Sequence, residues 1–529
     1  MSDSSPSEIA IGNWAGLLWV GNQPTYFVLG ITNEGGGPLH GTIRFPRESE
    51  DSQPLSKVDL RGSVLRVEAT KGGVPLVITG DCSPLSIRAR YLFGTAQGST
   101  TLLPLRALPR NQLLPYTGDY ADKHGDSIVV AESLGALYYF NRRTGRTGRL
   151  YPLQTGRFFG GPTWLIFQPA VVRADFSAWK DGKAQSADFL LDGERLRLSR
   201  QTIATEQEVQ FAAPGATIAG TLRRPPGRGP FPAVLLIAGS NGQPRSGFYA
   251  ENDFMADHFA RLGFLTFTFD KRGVGQSTGA SGDNGAEDVA AAAFRFLLNQ
   301  PEVDQRRTGI WGISQGGILA PKVASMESGV QYIISVSGAV VDANTQEIER
   351  TELQLRADGF SEADIANAVA FQKLKFHYAR TQQGWAAYTE AYQKYKNEKW
   401  FADPYVGPPS LQTDPAWQFW RETGGIAAVD YWRKFQRPVL VLYSEHEVLS
   451  SSADNIALFV SAMRDARNND FAIIMIPGAE HSMLRAANGG FKEARSLTGY
   501  SLRYFRTLSD WLRLQGLIDR IPAAAAVGR

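Results

Sequence analysis

The chain has 529 residues, of which 43% are hydrophobic and 20% charged, with a formal net charge of +3. That length exceeds what one core organises and points to roughly two to four globular domains. No stretch approaches the ~18 consecutive apolar residues that span a membrane, and no basic run suggests capture of nucleic acid or anionic membrane.

The start, Met1-Ser-Asp-Ser-Ser-Pro6, has neither the basic residues nor the apolar run of a secretory leader. The expected location is therefore cytoplasmic, or secreted or periplasmic if a leader has been removed. Cys82 is the single cysteine, which excludes an intrachain disulfide framework and reads as a buried, inert thiol.

Residues 1–205 read as an all-β domain. Alternating runs such as Ser63-Val-Leu-Arg-Val-Glu-Ala69 and Asp126-Ser-Ile-Val-Val-Ala131 are separated by turn signals at Gly35-Gly-Gly-Pro38, Lys71-Gly-Gly73, Asp181-Gly182 and Asp192-Gly193. A sandwich or barrel is expected, with room for two sub-units split near Pro109.

Residues 206–529 change character. Ala233-Val-Leu-Leu-Ile-Ala238 is a continuous apolar run suited to a strand buried on both faces. A helix over 253–262, a strand at 264–269, a helix over 286–298, a strand at 308–311, a helix over 317–326 and a strand at 332–336 follow. Strands at 438–443 and 471–476 and a helix over 501–514 complete the pattern. Such alternation means a mostly parallel sheet covered by helices. Between 345 and 430 it gives way to a helical, aromatic insertion. There Trp385, Tyr388, Tyr392 and Tyr395 share one helix face, first of all for packing. A Pro-rich loop through Asp403-Pro and Gly407-Pro-Pro409 closes the insertion, and the tail at 523–527 is expected to fray.

Two segments match G-x-S-x-G. Gly312-Ile-Ser314-Gln-Gly316 lies between a strand and a helix, where small flanking residues permit a strained turn that exposes a hydroxyl. Gly275-Gln-Ser277-Thr-Gly279 runs on into a glycine-rich loop and reads as loop only. Ser314 is thus the candidate nucleophile, and it needs a base.

Six histidines are available. His40 and His124 read as surface, His258 as a packed helix residue, His377 as a lid residue able to touch substrate, and His446 as a neighbour of the acid. His481 alone follows the final core strand and can fold over the serine. The acid belongs on the preceding loop, Tyr443-Ser-Glu-His-Glu447-Val. Glu447 is the choice, with Asp454 and then Glu445 as alternatives. Backbone donors for an oxyanion would be the N–H of Gln315 and one from the Ala238-Gly-Ser-Asn-Gly242 loop, Ser240 before Asn241.

These residues together resemble the α/β-hydrolase superfamily, and in particular bacterial esterases and peptidase-like hydrolases with an extra N-terminal domain. Phe269-Asp-Lys-Arg-Gly-Val-Gly-Gln-Ser277 resembles the family's strand-end motif Y/F-D-x-R-G-x-G-x-S. The run from Val303 to Gly317 resembles its nucleophile elbow, and Ala238-Gly-Ser240 its H-G-S-G oxyanion loop. The similarity covers about 206–340 and 430–515. Two positions depart from it: Ala238 replaces a common histidine, and Glu447 stands where aspartate is usual.

The resemblance implies an α/β-hydrolase fold preceded by the all-β domain, with residues 345–430 as a helical lid. It implies a carboxylic ester cleaved through an acyl-enzyme, with peptide or amide cleavage, acyl transfer or thioester hydrolysis, and a repurposed non-hydrolytic fold as alternatives. A small acyl substrate is the expected partner, without cofactor, metal, nucleic acid or membrane. The β domain is open to capping, homo-oligomerisation or substrate filtering.

Overall fold

The computed structural model describes residues 9–21, 23–33, 37–46, 51–164, 166–282, 285–401, 404–425, 427–519 and 522. Gly35 and Gly36 of the first turn signal, Asp403 and the tail at 523–527 lie outside them. The chain divides into two units, one of residues 1–142 and 146–201, the other of 143–145 and 202–529.

The first unit is all β in its sheets and has two parts. Strands between Gly12 and Pro104 form a nine-stranded antiparallel sheet. Its alternating side chains, among them Trp14, Leu18, Leu29, Ile31, Leu65, Val67, Leu76 and Ile78, form one buried cluster. Strands between Gly118 and Gln201 close into an eight-stranded barrel, sealed where Asp119–Ala121 pairs with Ser199–Gln201. Closure removes the sheet edges, and the interior is filled by Tyr120, Tyr139, Phe158, Phe176 and Phe189. The short connection between the two parts contains Pro109, followed by a helical turn at Arg110–Leu113. Cys82 sits in the first sheet half-buried, and burial pushes its thiol up to about 11.

The second unit is built on one eight-stranded sheet. In chain order its strands are Thr205–Ala213 (β1), Ala216–Arg224 (β2), Phe231–Ile237 (β3), Leu265–Phe269 (β4), Val303–Ile313 (β5), Ile333–Val336 (β6), Val439–His446 (β7) and Phe471–Glu480 (β8). Their order across the sheet is β1-β2-β4-β3-β5-β6-β7-β8. β1 and β2 form an antiparallel hairpin that joins β4 antiparallel, and every pairing from β4 to β8 is parallel. Every residue of β3, β4 and β6 is buried, as expected of strands covered on both faces.

Helices Glu251–Arg261 (α1), Ala286–Leu298 (α2) and Gln315–Met326 (α3) follow β3, β4 and β5. The Ala-rich α2 fits its small side chains, Ala290 to Ala293, closely into the core with Phe294 and Leu297. The chain places β4 on one side of β3 and β5 on the other. That reversal opens a crevice beyond the carboxyl ends of the strands, where the loops after β3, β5, β6, β7 and β8 gather.

The insertion between β6 and β7 is helical: Ala343–Ala357 (α4), Glu362–Thr381 (α5), Trp385–Tyr395 (α6) and Ala416–Thr423 (α7). It has its own core, in which Tyr388 and Trp400 are almost fully buried. The aromatic stripe of α6 packs there: Tyr388 lies 5.3 Å from Phe371, Tyr392 5.0 Å from Phe401 and Tyr395 5.1 Å from Trp400. Helices Ser452–Asp465 (α8) and Leu502–Leu514 (α9) complete the unit.

The crossing of α3 over β3 leaves no space for side chains. A methyl on Gly316 would collide with the Ile237 carbonyl, and one on Gly312 with the Gly316 carbonyl. Gly316→Ala is therefore expected to destabilise the protein by about 1–3 kcal/mol, the cost of overpacking. Urea denaturation of the full chain reads this as a lower midpoint.

Candidate active site

Ser314 occupies the turn between β5 and α3 with φ 54° and ψ −120°, a region that side-chain-bearing residues rarely enter. Three contacts hold it there. Its N–H donates to Val336 O at 2.8 Å, tying it to the end of β6, and its carbonyl accepts from Gly317 and Ile318. The N–H groups of the first turn of α3 point out of the helix, that of Gln315 among them. The Gln315 side chain accepts from Lys271 Nζ at 2.7 Å.

The second G-x-S-x-G serine has another fate. Ser277 is buried, donates to Asp270 O at 2.9 Å and accepts from Ala219 N at 3.0 Å. It ties a loop to β2. Asp270, beside it, accepts from Arg245 N and Nη2 and from Gln276 N. The strand-end motif thus builds a buried ion pair beneath the loop.

Glu447 and His481 meet. The ring Nδ1 lies 2.8 Å and 3.0 Å from the two carboxylate oxygens, with both side chains largely out of water. Glu447 also accepts from Leu449 N at 2.9 Å and Ser444 Oγ at 3.3 Å. Burial works against its charge, yet His481 and the Leu449 N–H hold the carboxyl below its usual value.

Burial alone would lower the His481 pKa. The Glu447 charge outweighs it, with Glu480 and Glu251 adding to the effect, so the ring's pKa is raised. The latter two carboxyls are themselves pushed up by burial, Glu480 to about 7 and Glu251 to about 8. His481 Nε2 is buried and makes no hydrogen bond, so no bond to Ser314 is formed here. Such contacts commonly tighten only once a substrate is bound.

The alternative acids stand apart. Asp454 is exposed in the first turn of α8, and Glu445 is exposed and accepts from Gly478 N. His40 is exposed but lies within a strand, while His124 sits in an exposed turn. His258 is fully buried, 2.9 Å from Ser509 Oγ. His377 is exposed on α5, and His446 is half-buried at the end of β7.

In the loop after β3 it is Gly239 that abuts the serine: a methyl there would lie 3.5 Å from Ser314 Cβ. Ser240 and Asn241 follow it, Asn241 at φ 69°, and the loop is held by Gln243 Nε2 donating to Ser240 O at 3.0 Å. Gln243 is one residue that sequence reasoning missed. Glu349 and Asn455 are others. Glu349 on α4 accepts from Ser450 Oγ at 3.0 Å and Ser451 N at 2.8 Å, tying the helical insertion to the loop that carries Glu447. Asn455 accepts from the backbone of Val340 and Val341 at the root of the insertion. No motif marks a polar residue whose partners lie a hundred positions away.

The eight-stranded, mostly parallel sheet, with a serine in a strained strand-to-helix turn and an imidazole–carboxylate pair on loops two and three strands further along, decides the fold. The chain is an α/β-hydrolase-fold protein. Residues 232–482 match the family model for the alpha/beta hydrolase fold.

Among curated proteins, the chain is 28% identical over 171 residues to Esterase FrsA of Enterobacter sp. (strain 638), which is 32% of this chain and 40% of that one. It is 30% identical over 245 residues to dipeptidyl peptidase 4 of Trichophyton tonsurans, 41% of this chain and 31% of that one. The chain thus spans less than half the length of these relatives. Among solved structures, an esterase of Pyrococcus furiosus superposes with a TM-score of 0.38 at 12% identity, covering 60% of this chain and 91% of that one.

The hydrolase fold's imidazole–carboxylate pair makes a prediction independent of any substrate. An NMR titration of His481 is expected to give a pKa above the ordinary ~6.5. Glu447→Gln, which keeps the volume but removes the charge, is expected to bring it below that value. The sign for stability follows from the same pairing. The His481 contribution is complete below about pH 6.5 and lost as pH rises through the folded-state value. The Glu447 contribution is complete above about pH 4.3 and lost as pH falls through its own depressed value.

Proposed function

We propose that the protein is a serine hydrolase that cleaves a carboxylic ester of a small acyl substrate through an acyl-enzyme. The observation that carries this reading is the pairing of Glu447 with His481 Nδ1, which leaves Nε2 as the ring's acceptor, in a unit whose Ser314 adopts the strained turn. Ser314 Oγ attacks the carbonyl as His481 takes its proton. The tetrahedral oxyanion is stabilised by backbone N–H groups, that of Gln315 and one from the 238–242 loop. His481 returns the proton to the leaving alcohol, and water repeats the sequence to release the acid. Glu447 fixes the ring's tautomer and stabilises its cation.

The similarity to a dipeptidyl peptidase favours a second reading, amide or peptide cleavage by the same groups. The two are separated by comparing short-chain nitrophenyl esters with aminoacyl and dipeptidyl anilides. Turnover confined to the esters supports the first reading, and efficient anilide cleavage supports the second.

Wild-type protein is expected to be labelled by a fluorophosphonate probe, and folded Ser314→Ala is not. Folded wild-type protein that resists the probe would overturn both readings. Glu447→Ala is expected to lower kcat by about 10⁴-fold, the scale seen when a triad acid is lost. Asp454→Ala is expected to leave kcat unchanged.

A further inference from the structure

The end of β6 carries a residue that no motif singles out. Ser337 is almost fully buried yet has φ 49°, in the left-handed region that favours glycine. Its N–H donates to Leu442 O at 2.8 Å, anchoring it to β7. Its hydroxyl donates to the carbonyl of His481 at 2.8 Å. The residue before it, Val336, receives the N–H of Ser314. Val336 and Ser337 therefore touch two residues of the proposed triad that arrive on different loops, Ser314 through a backbone carbonyl and His481 through a hydroxyl.

We propose that Ser337 is a positioning residue that registers the loop of His481 against the Ser314 turn. The proposal rests on the triad reading above and adds to it a reason for the strain. A serine in the left-handed region is strained, where glycine would sit with little penalty. What the side chain supplies is a hydroxyl, delivered to the main chain of the base. Strain of this kind persists at a site where the strained group is used.

The other charged and titratable groups around the His481 ring are Glu447 on the loop after β7, Glu480 at the end of β8 and Glu251 at the start of α1. Glu480 Oε1 accepts from Ser482 N and Leu484 N, both at 3.0 Å, and so stiffens the turn around His481 from within. Ser337 fixes that turn from outside, against a neighbouring strand.

The test compares Ser337→Ala with Ser337→Gly. Both remove the hydroxyl, and only glycine relieves the strain. Both variants are expected to lose about ten- to a hundredfold in kcat on the ester that wild type turns over best, with KM nearly unchanged, as befits a misplacement of the base. Ser337→Gly is expected to melt no lower than wild type, so that activity falls without stability. The low-field Nδ1 proton signal of His481 is expected to broaden or shift in both.

Wild-type kcat and an unchanged signal in Ser337→Gly would overturn the proposal. So would a kcat loss that follows a fall in Tm, or failure of both variants to fold, since either marks a merely structural serine. The proton signal does not depend on turnover. If wild type hydrolyses none of the substrates yet the signal still responds, the functional reading fails while the positioning role stands.

Discussion

The site depends on a carboxylate and an imidazole holding each other out of water. Glu447 would not keep its charge there alone, and His481 could not readily become a cation. Burial disfavours the charge on both, and a buried charge without a partner costs several kcal/mol. Paired at 2.8 Å, each supplies what the other lacks, and the surrounding donors from Leu449 and Ser444 complete the carboxylate. The geometry also decides chemistry. With Nδ1 committed to Glu447, only Nε2 is left to accept a proton, so the loop carrying His481 has to present that edge of the ring.

That presentation is imposed by backbone rather than by side-chain packing. Ser314 and Ser337 both sit at positive φ, on adjacent strands, and are linked through the Val336 carbonyl. The glycines at 312 and 316 allow α3 to pass over the ends of β5 and β3 with main chain almost touching main chain. A parallel sheet makes such an arrangement possible, because its central strands are buried and evenly spaced. Loops rising from neighbouring strands then reach a common point without long, floppy excursions.

The helical insertion is built differently. It is a small aromatic core of its own, joined to the acid loop by Glu349 of α4 and held at its root by Asn455. The link through Glu349 means that movement of α4 would be felt by the backbone two residues beyond Leu449, close to the carboxylate. The N-terminal sheet and barrel are conventional in their physics, with alternating side chains filling one interior each.

Much was legible from residue order. Period-two alternation followed by strand–helix alternation gave the all-β region and the parallel sheet, because burial on one face or two leaves a direct imprint on apolar spacing. G-x-S-x-G between a strand and a helix singled out Ser314 over Ser277, since only the former has small residues where two backbones must cross. Chain order pointed to Glu447 and His481. Tertiary structure alone decided the rest: that Glu447, not Asp454 or Glu445, faces the imidazole; that Gly239 abuts the serine; and that Ser337, Gln243, Glu349 and Asn455 tie the loops together. The contacts of Glu349, Asn455 and Ser337 join residues from 101 to 144 positions apart. A hydrogen bond across such distances has no period and no motif, because it exists only after the sheet has brought its strand ends to one edge.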